Sequence, residues 1–365
     1  MIYLDHAATS YPKPPVVVDA VRRWYADIGC SPDRGDGPST RDAAATMQRC
    51  REGVARRTGH RPEHVAFCSG ATEALNLAIR ALASDGALVA TTTYEHSSVA
   101  RALRGLRAER DVRVIKAASI DALIEDIDQR RPDLVVMTHA SNVTGEELDA
   151  AAVAASTRSK EIPLLLDASQ TAGYLPLDVG ASAVVASAHK ALHGPPGLGF
   201  ISVDDRHQLA PQKFGGTGSS AALEDHPTSW PQAFEAGTPN MPALYGLDAA
   251  LTWCDEAGAD ALLARARGAV RRLTDALRQL EEFTLYGAPP ATGVPVLSLC
   301  HARYDPLELA AILSSAGVHA RAGFHCAPWI HEHLGTHAAG TLRLSPGPAT
   351  TNGEIDAVVE ILASL

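Results

Sequence analysis

Residues 162–190 read IPLLLDASQTAGYLPLDVGASAVVASAHK. Two short apolar runs, IPLLLD (162–167) and AVVAS (183–187), each break off into polar residues, Asp167-Ala-Ser-Gln170 after the first and Ala188-His189-Lys190 after the second. Runs this short and apolar on both faces predict strands buried inside a parallel sheet. The same pattern extends outward in both directions, with HVAFC (64–68), ALVATT (87–92), VRVIK (112–116) and DLVVMTH (133–139) before it and GFISV (199–203) after it. Between these runs lie stretches such as TEALNLAIRAL (72–82) and SIDALIEDIDQRR (119–131), whose apolar residues recur three or four apart and so predict helices. Strand and helix signals alternating from about residue 60 to 205 predict an open α/β sheet, mostly parallel and covered by helices.

The pattern changes beyond that sheet. Residues 211–242 are rich in Gly, Pro and Ser, which predicts a loop that carries function if ordered. Residues 260–283 read as a long amphipathic helix with Leu262, Leu263, Ala266, Val270, Leu273, Leu277 and Leu280 on one side. A strand at VPVLSLC (294–300), a helix from Asp305 to Gly317 and strands at VHARA (318–322) and TLRLS (341–345) follow, then a last helix behind Thr351-x-x-Glu354, a capping box. These predict a second, smaller α/β domain with a limit near residue 245. The length of 365 residues agrees with two domains of about 150 residues each or somewhat more.

Composition narrows the function. A net charge of -10 argues against a nucleic-acid binder held by phosphate contacts. No run of eighteen apolar residues occurs and MIYLDHAATS is no signal peptide, so a cytoplasmic protein without a membrane span is expected. The six cysteines lack C-x-x-C pairs, which fits neither a disulfide framework nor a zinc ribbon. His331, Glu332, His333 and His337 gather near Cys326 but lack the i, i+4 histidine pair of a helical metal site, and no metal is expected.

In open α/β sheets ligands bind beyond the carboxyl ends of the strands. Here those ends carry Ser69-Gly70-Ala71-Thr72-Glu73, Glu95-His96, Ala140-Ser141-Asn142, Ala168-Ser169-Gln170 and Ala188-His189-Lys190. Taken singly, each is also readable as a helix cap, a turn or a surface lysine. Together they supply what pyridoxal 5′-phosphate requires: a lysine for the imine, a carboxylate for the ring nitrogen, a phosphate cradle at a helix start and a flat side chain for the ring. Asp167 ends a very apolar strand, where its charge is costly to bury without a cation such as the pyridinium.

Nine strings in chain order, YLDHAATS, SGATEALNLA, TYEHSS, SNVTGE, DASQTAG, SAHKALHGPPGLGF, GGTGSS, FEAGTPN and RAGFHCAP, resemble the cysteine desulfurases of the class V aminotransferase family. The resemblance is closest to the group II branch and runs from residue 3 to about 356. It implies a fold-type I pyridoxal-phosphate-dependent transferase, α/β in class, with a large mostly parallel sheet domain over 15–245 and a smaller α/β domain from 1–14 and 246–365. It also implies a homodimer with active sites at the subunit interface. By position, Lys190 resembles the imine lysine, Ser187, His189 and Thr72 the phosphate ligands, and Thr238 the threonine that reaches the neighbouring subunit's phosphate. Asp167 matches the partner of the ring nitrogen, Gln170 and Asn142 the partners of the ring hydroxyl, and His96 the stacking ring. Asn142 and Arg343 resemble ligands of the substrate carboxylate.

Cys326 lies in Arg321-Ala-Gly-Phe-His325-Cys326-Ala-Pro328, between Arg321 and His325, two groups that favour a thiolate and border the substrate. The resemblance implies that L-cysteine becomes L-alanine while Cys326 takes the sulfur as a persulfide, which a protein or small thiol then accepts. Two places depart from the family pattern: GCSPDRGDGPSTRDA (29–43) lacks the usual Gly-Gly-His run, and Pro348 and Thr350 replace an aromatic residue and an asparagine. Selenocysteine or cysteine sulfinate as substrate, another pyridoxal reaction such as β-elimination or amino transfer, and a sulfur-relay or binding protein without turnover remain alternatives on the same residues.

Overall fold

The computed structural model describes residues 1–365 apart from 33–34, 208, 219–223 and 290. The end of the GGTGSS string and the middle of the 29–43 departure lie outside the described residues. After a short strand β1 (Ile2–Tyr3), helices α1 (Pro15–Arg23) and α2 (Pro38–Thr58) lead into the main sheet. Its strands and connections run β2 (Val65–Cys68), α3 (Ala71–Leu82), β3 (Leu88–Thr92), α4 (Ser97–Arg110), β4 (Arg113–Ala117), α5 (Ile120–Arg130), β5 (Leu134–Thr138), α6 (Ala150–Arg158), β6 (Leu164–Asp167), β7 (Ala183–Ser187) and β8 (Gly199–Val203). The seven strands lie in the order β2-β8-β7-β6-β5-β3-β4, and only β8 runs against its neighbours.

Successive side chains of a strand face opposite ways, so an all-apolar strand needs cover on both faces. Leu165 meets a layer in which α3 and α4 bring Leu75, Ile79, Val99 and Leu103. Leu164 and Leu166 face the other layer, with Val54 of α2, Leu123 and Ile127 of α5 and Val153 of α6. The carboxyl ends of the parallel strands therefore share one edge of the sheet, and the polar residues read after each run converge there.

The long helix α7 (Met241–Ala257) crosses residue 245 without a break, and its Met241, Leu244, Tyr245, Leu247 and Leu251 pack into the main core. The chain turns only at Gly258, whose φ of 76° suits glycine. Then come α8 (Ala259–Leu277), β9 (Phe283–Tyr286), β10 (Leu297–His301), α9 (Pro306–Ser315), β11 (Val318–His319), β12 (Arg321–Gly323), α10 (Pro328–His333), β13 (Thr341–Leu344) and α11 (Asn352–Ala363). Strands β12-β13-β10-β9 form an antiparallel sheet whose core joins Leu273, Leu299, Leu313, Leu342 and Ile355 to Leu4 from the chain start. The N-terminal strand reaches this unit by pairing in parallel with β11.

Three boundaries differ from the sequence reading. Helix α8 stops at Leu277 rather than running to 283, because the chain turns through 278–282 into β9 while Leu280 still packs on the small core. Strand β10 begins at Leu297, past Pro295, which has no N–H for a ladder. VHARA divides into β11 and β12, which belong to different sheets. The expected Thr351–Glu354 capping box is present, and Asp305 with Glu308 forms a second one that the sequence reading did not name.

Gly199 lets β8 lie against the turn before α3, since a Cβ there would stand 2.6 Å from the Gly70 backbone. Gly268, exposed in α8, has nothing within 4 Å of a built Cβ. Gly199→Ala is expected to cost about 1–3 kcal/mol through displaced backbone, whereas Gly268→Ala should stabilise by up to about 1 kcal/mol through helix propensity. Urea denaturation of both variants checks the pair, and equal effects would contradict it.

Candidate active site

The shared strand edge encloses a cavity of about 200 Å³ lined by Thr72, His96, Asn142, Asp167, Ser187, His189, Lys190, Arg321, His325 and Arg343, with Ser169 among them. Cys326 follows His325 and is exposed. Cys326 is not part of the lining, and two other sequence candidates do not line it either. Gln170 turns its amide to the Ala7 carbonyl at 2.9 Å and borders a separate, water-sized space that Lys190 also touches. Thr238 is exposed in a wide cleft of about 1600 Å³ with Glu73, Lys213 and Glu235.

One end of the cavity suits an anion. Gly70 precedes α3 and has no side chain to cap it, so the first-turn amides are left without that partner. The Ala71 amide donates to Ser187 Oγ at 2.9 Å, which fixes the β7 end against the helix start. His189 presents a buried Nδ1 that lacks a hydrogen-bond partner. Burial, and then the nearby Lys190 and Lys13, lower its pKa to about 4. The His189 carbonyl accepts from the Ser10 amide, the Thr9 and Ser10 hydroxyls and Lys13 Nζ at 2.8–3.2 Å, so the N-terminal segment holds the peptide that precedes Lys190.

At the centre, burial drives the Lys190 amine below its usual pKa although Asp167 works in the opposite sense. Asp167 is buried at the end of β6, and its Oδ1 accepts the Ser169 amide at 2.9 Å. Ser169 Oγ is buried without a partner on the same wall. His96 opens α4 with Nδ1 accepting the Ser98 amide at 3.1 Å, and burial followed by the charge of Lys190 lowers its pKa to about 4. The ring is therefore flat, oriented and uncharged at neutral pH.

At the other end stands Arg343, 1% exposed, donating Nη2 to Asp5 Oδ1 at 2.5 Å and Nη1 to the Asn142 carbonyl at 3.0 Å. Its Nε has no partner. Asn142 donates its side-chain amide to the His325 carbonyl at 2.7 Å, and the Ser97 amide donates to the Cys326 carbonyl at 2.6 Å. Thus the loop after β5 and the start of α4 both grip the cysteine turn, in which His325 and Cys326 take positive φ of 48° and 57°.

The expectation of two cationic neighbours for Cys326 needs correction. Arg321 Nη2 lies 3.5 Å from its Sγ. His325 instead turns inward to Thr341 at 3.0 Å, and burial, then Arg343, push its pKa far down, so it stays neutral. Sequence reading also passed over Asp5, Lys13 and Ser169. Asp5 and Ser169 stand inside quoted strings, but only their folded contacts give them a role. His331 is buried and bonded to Thr336 at 2.8 Å, and no group of three or more metal-type ligands occurs among the described residues.

The strand edge of this α/β sheet thus sets a partly buried lysine beside a carboxylate and a helix start whose first-turn amides suit an anion. The aminotransferase class-V family model matches residues 2–358, and the chain belongs to that family. More particularly, it is 30% identical over 346 residues to a cysteine desulfurase of Klebsiella pneumoniae, covering 90% of this chain and 84% of the relative. It is 29% identical to a probable cysteine desulfurase of Methanothermobacter thermautotrophicus over 100% of this chain and 94% of the relative. The solved apo structure of a cysteine desulfurase from Thermococcus onnurineus superposes with a TM-score of 0.91 at 26% identity, covering 100% of this chain and 94% of that one. Among the described residues no helix is long and apolar enough to cross a membrane.

Burial holds His6, His96, His139 and His189 at pKa values of about 4, below the 6.5 of a free imidazole. Between pH 6.5 and 4 the unfolded chain binds more protons than the folded one, so their contribution is complete above 6.5 and lost as pH falls toward 4. Urea midpoints of the protein without added cofactor should drop steadily from pH 7 to 4.5. A flat profile over that window would contradict the burial of these rings.

Proposed function

We propose that the chain is a pyridoxal 5′-phosphate-dependent cysteine desulfurase, converting L-cysteine to L-alanine and holding the sulfur on Cys326 as a persulfide. The observation that carries this reading is the exposed Cys326, with a guanidinium 3.5 Å from its sulfur, gripped beside a cavity lined by a partly buried lysine and a buried aspartate. The curated relatives named above carry the same activity in their names.

The residues present fit the cofactor. The partnerless His189 Nδ1 and Ser169 Oγ border the cavity, the α3 start offers free amides for a phosphate, and Asp167 offers a charge for a pyridinium. Ser187, His189 and the Thr72 turn would hold the phosphate, Asp167 the ring nitrogen, Asn142 the ring hydroxyl, and His96 the ring face, while Gln170 stays on the Ala7 carbonyl outside the cavity. Bound there, the cofactor supplies an attachment for the amino group and an electron sink for Cα.

This chain's own groups do the rest. Lys190, whose amine burial holds below its usual pKa, accepts the Cα proton and returns one to the three-carbon product. Arg343 and Arg321 face the substrate carboxylate, and His96, kept neutral, stands near them without adding repulsion. Cys326, as thiolate beside Arg321, forms a bond to the substrate sulfur as the substrate Cβ–S bond breaks. Alanine departs and the sulfur passes from Cys326 to an acceptor thiol. Two copies assemble as a homodimer in the cytoplasm, where Thr238 serves the phosphate site of the other copy. The large unit carries Lys190, and the small unit formed by 1–14 and the chain after the large unit brings in Cys326.

The test is alanine and sulfide release from L-cysteine with dithiothreitol, for wild type, Lys190→Ala and Cys326→Ala. Both variants should lose about 10²-fold or more in alanine formation. Equal rates from wild type and Cys326→Ala would overturn the persulfide route, and selenocysteine or cysteine sulfinate turned over far faster than cysteine would reassign the substrate.

A further inference from the structure

A run of uncompensated positive charge begins next to Cys326. The whole chain carries -10, yet residues 97–116 hold six cations against two carboxylates, Glu109 and Asp111. Three of those cations, Arg101, Arg104 and Arg107, are exposed along α4. Arg110 is spent inside the fold on the Arg80 and Ala83 carbonyls, at 2.7 and 3.0 Å, and Glu109 is held by Arg80 at 2.8 Å. No ion pair involves Arg101, Arg104 or Arg107 among the described residues, whereas Arg49 and Arg57 of α2 and Arg272 of α8 each hold a carboxylate.

The position of this stripe gives it meaning. The first turn of α4 donates the Ser97 amide to the Cys326 carbonyl, so the helix starts at the cysteine turn. At about 1.5 Å of rise per residue, Arg101 lies about 6 Å and Arg107 about 15 Å along the axis from Ser97. On the far side of the turn Phe324 is 43% exposed, and Lys116 lies over the Trp329 ring at 4.7 Å. Nothing in the desulfuration chemistry requires an uncompensated row of guanidinium groups outside the cavity. A small thiol needs none either, because Cys326 is already open to solvent.

We infer that the exposed face of α4 docks an acidic protein segment bearing the thiol that accepts sulfur from Cys326. The inference rests on the desulfurase reading and names the partner chemistry of that site. The acceptor thiolate attacks the outer sulfur of the Cys326 persulfide, an S–S bond forms to the acceptor, and the bond to Cys326 Sγ breaks. The electron pair leaves on Cys326 as thiolate, and no oxidant is needed. A nucleic acid is disfavoured, since the stripe is short and the rest of the chain is acidic. An extended chain covers about 3.3 Å per residue, so carboxylates two to five residues from the acceptor cysteine match the row from Arg101 to Arg107.

The test uses two synthetic peptides with one cysteine each, one carrying Asp and Glu at the second to fifth positions after it and the other Lys at the same positions. Holoenzyme is loaded with L-cysteine, freed of substrate, and mixed with each peptide while mass spectrometry follows peptide persulfide. The acidic peptide should be sulfurated about tenfold faster or more at low salt, with the gap closing near 1 M salt, where charges beyond about 3 Å are screened. The triple variant R101S/R104S/R107S should bring the acidic peptide down to the rate of the Lys peptide and leave sulfide release to dithiothreitol unchanged. Equal peptide rates on wild type would overturn the inference, as would a triple variant equally slow with dithiothreitol. An oligonucleotide that blocks the acidic peptide at matched charge would also overturn it, in favour of nucleic acid. Wild type that releases no sulfide to dithiothreitol would instead overturn the desulfurase reading itself.

Discussion

Arg343 is a fully buried cation, and the site depends on how its charge is met. Taking a guanidinium out of water costs several kcal/mol unless partners replace the lost hydration, and removing one partner of a buried pair typically costs about 3–5 kcal/mol. Here the partners come from distant parts of the chain: the Asp5 carboxylate at the N-terminus and the Asn142 carbonyl after β5. The same Asn142 then holds the His325 carbonyl next to Cys326. One desolvated charge thus draws together the chain start, the main sheet, the small sheet and the cysteine turn.

The rest of the cavity follows an electrostatic logic of the same kind. Lys190, Arg321 and Arg343 bring cations to a small space in which Asp167 and the Asp5 partner of Arg343 are the opposing carboxylates. Neutral His96 and His189 add polarity without more positive charge, because burial suppresses their protonation. Such a site favours anionic ligands, and burial lowers the pKa of its lysine. Cys326 stands outside this enclosure, reachable from solvent, while its turn is fixed from within. The proposed sulfur transfer, from a buried substrate to an acceptor outside, suits that divided setting.

Much of the main sheet could be read from the chain because its strands are apolar on both faces and end in polar residues, a pattern that local chemistry imposes. The residues after those strands converge as read, since parallel strands share a carboxyl edge. The small unit was less legible. Leu280 continues a helical period that the chain abandons at Leu277, and Pro295 sits where an apolar run suggests a strand. Helix α7 crosses residue 245 because its apolar side finds cover in the main core, and covering partners are not a property of the helix's own sequence.

The sequence by itself determined which residues lie at the strand ends, that Lys190 and Asp167 follow neighbouring buried runs, and that the family-like strings occur in order. Burial demand and side-chain period are local properties, so they survive in a linear reading. Only the tertiary structure decided that His325 turns inward and stays neutral, that Gln170 is committed to Ala7 while Ser169 Oγ faces the cavity, and that Asp5 answers Arg343. It also decided that the arginines of α4 begin at the cysteine turn. Each of these is a contact between segments far apart in the chain, and its direction and desolvation are set by packing that no single segment encodes.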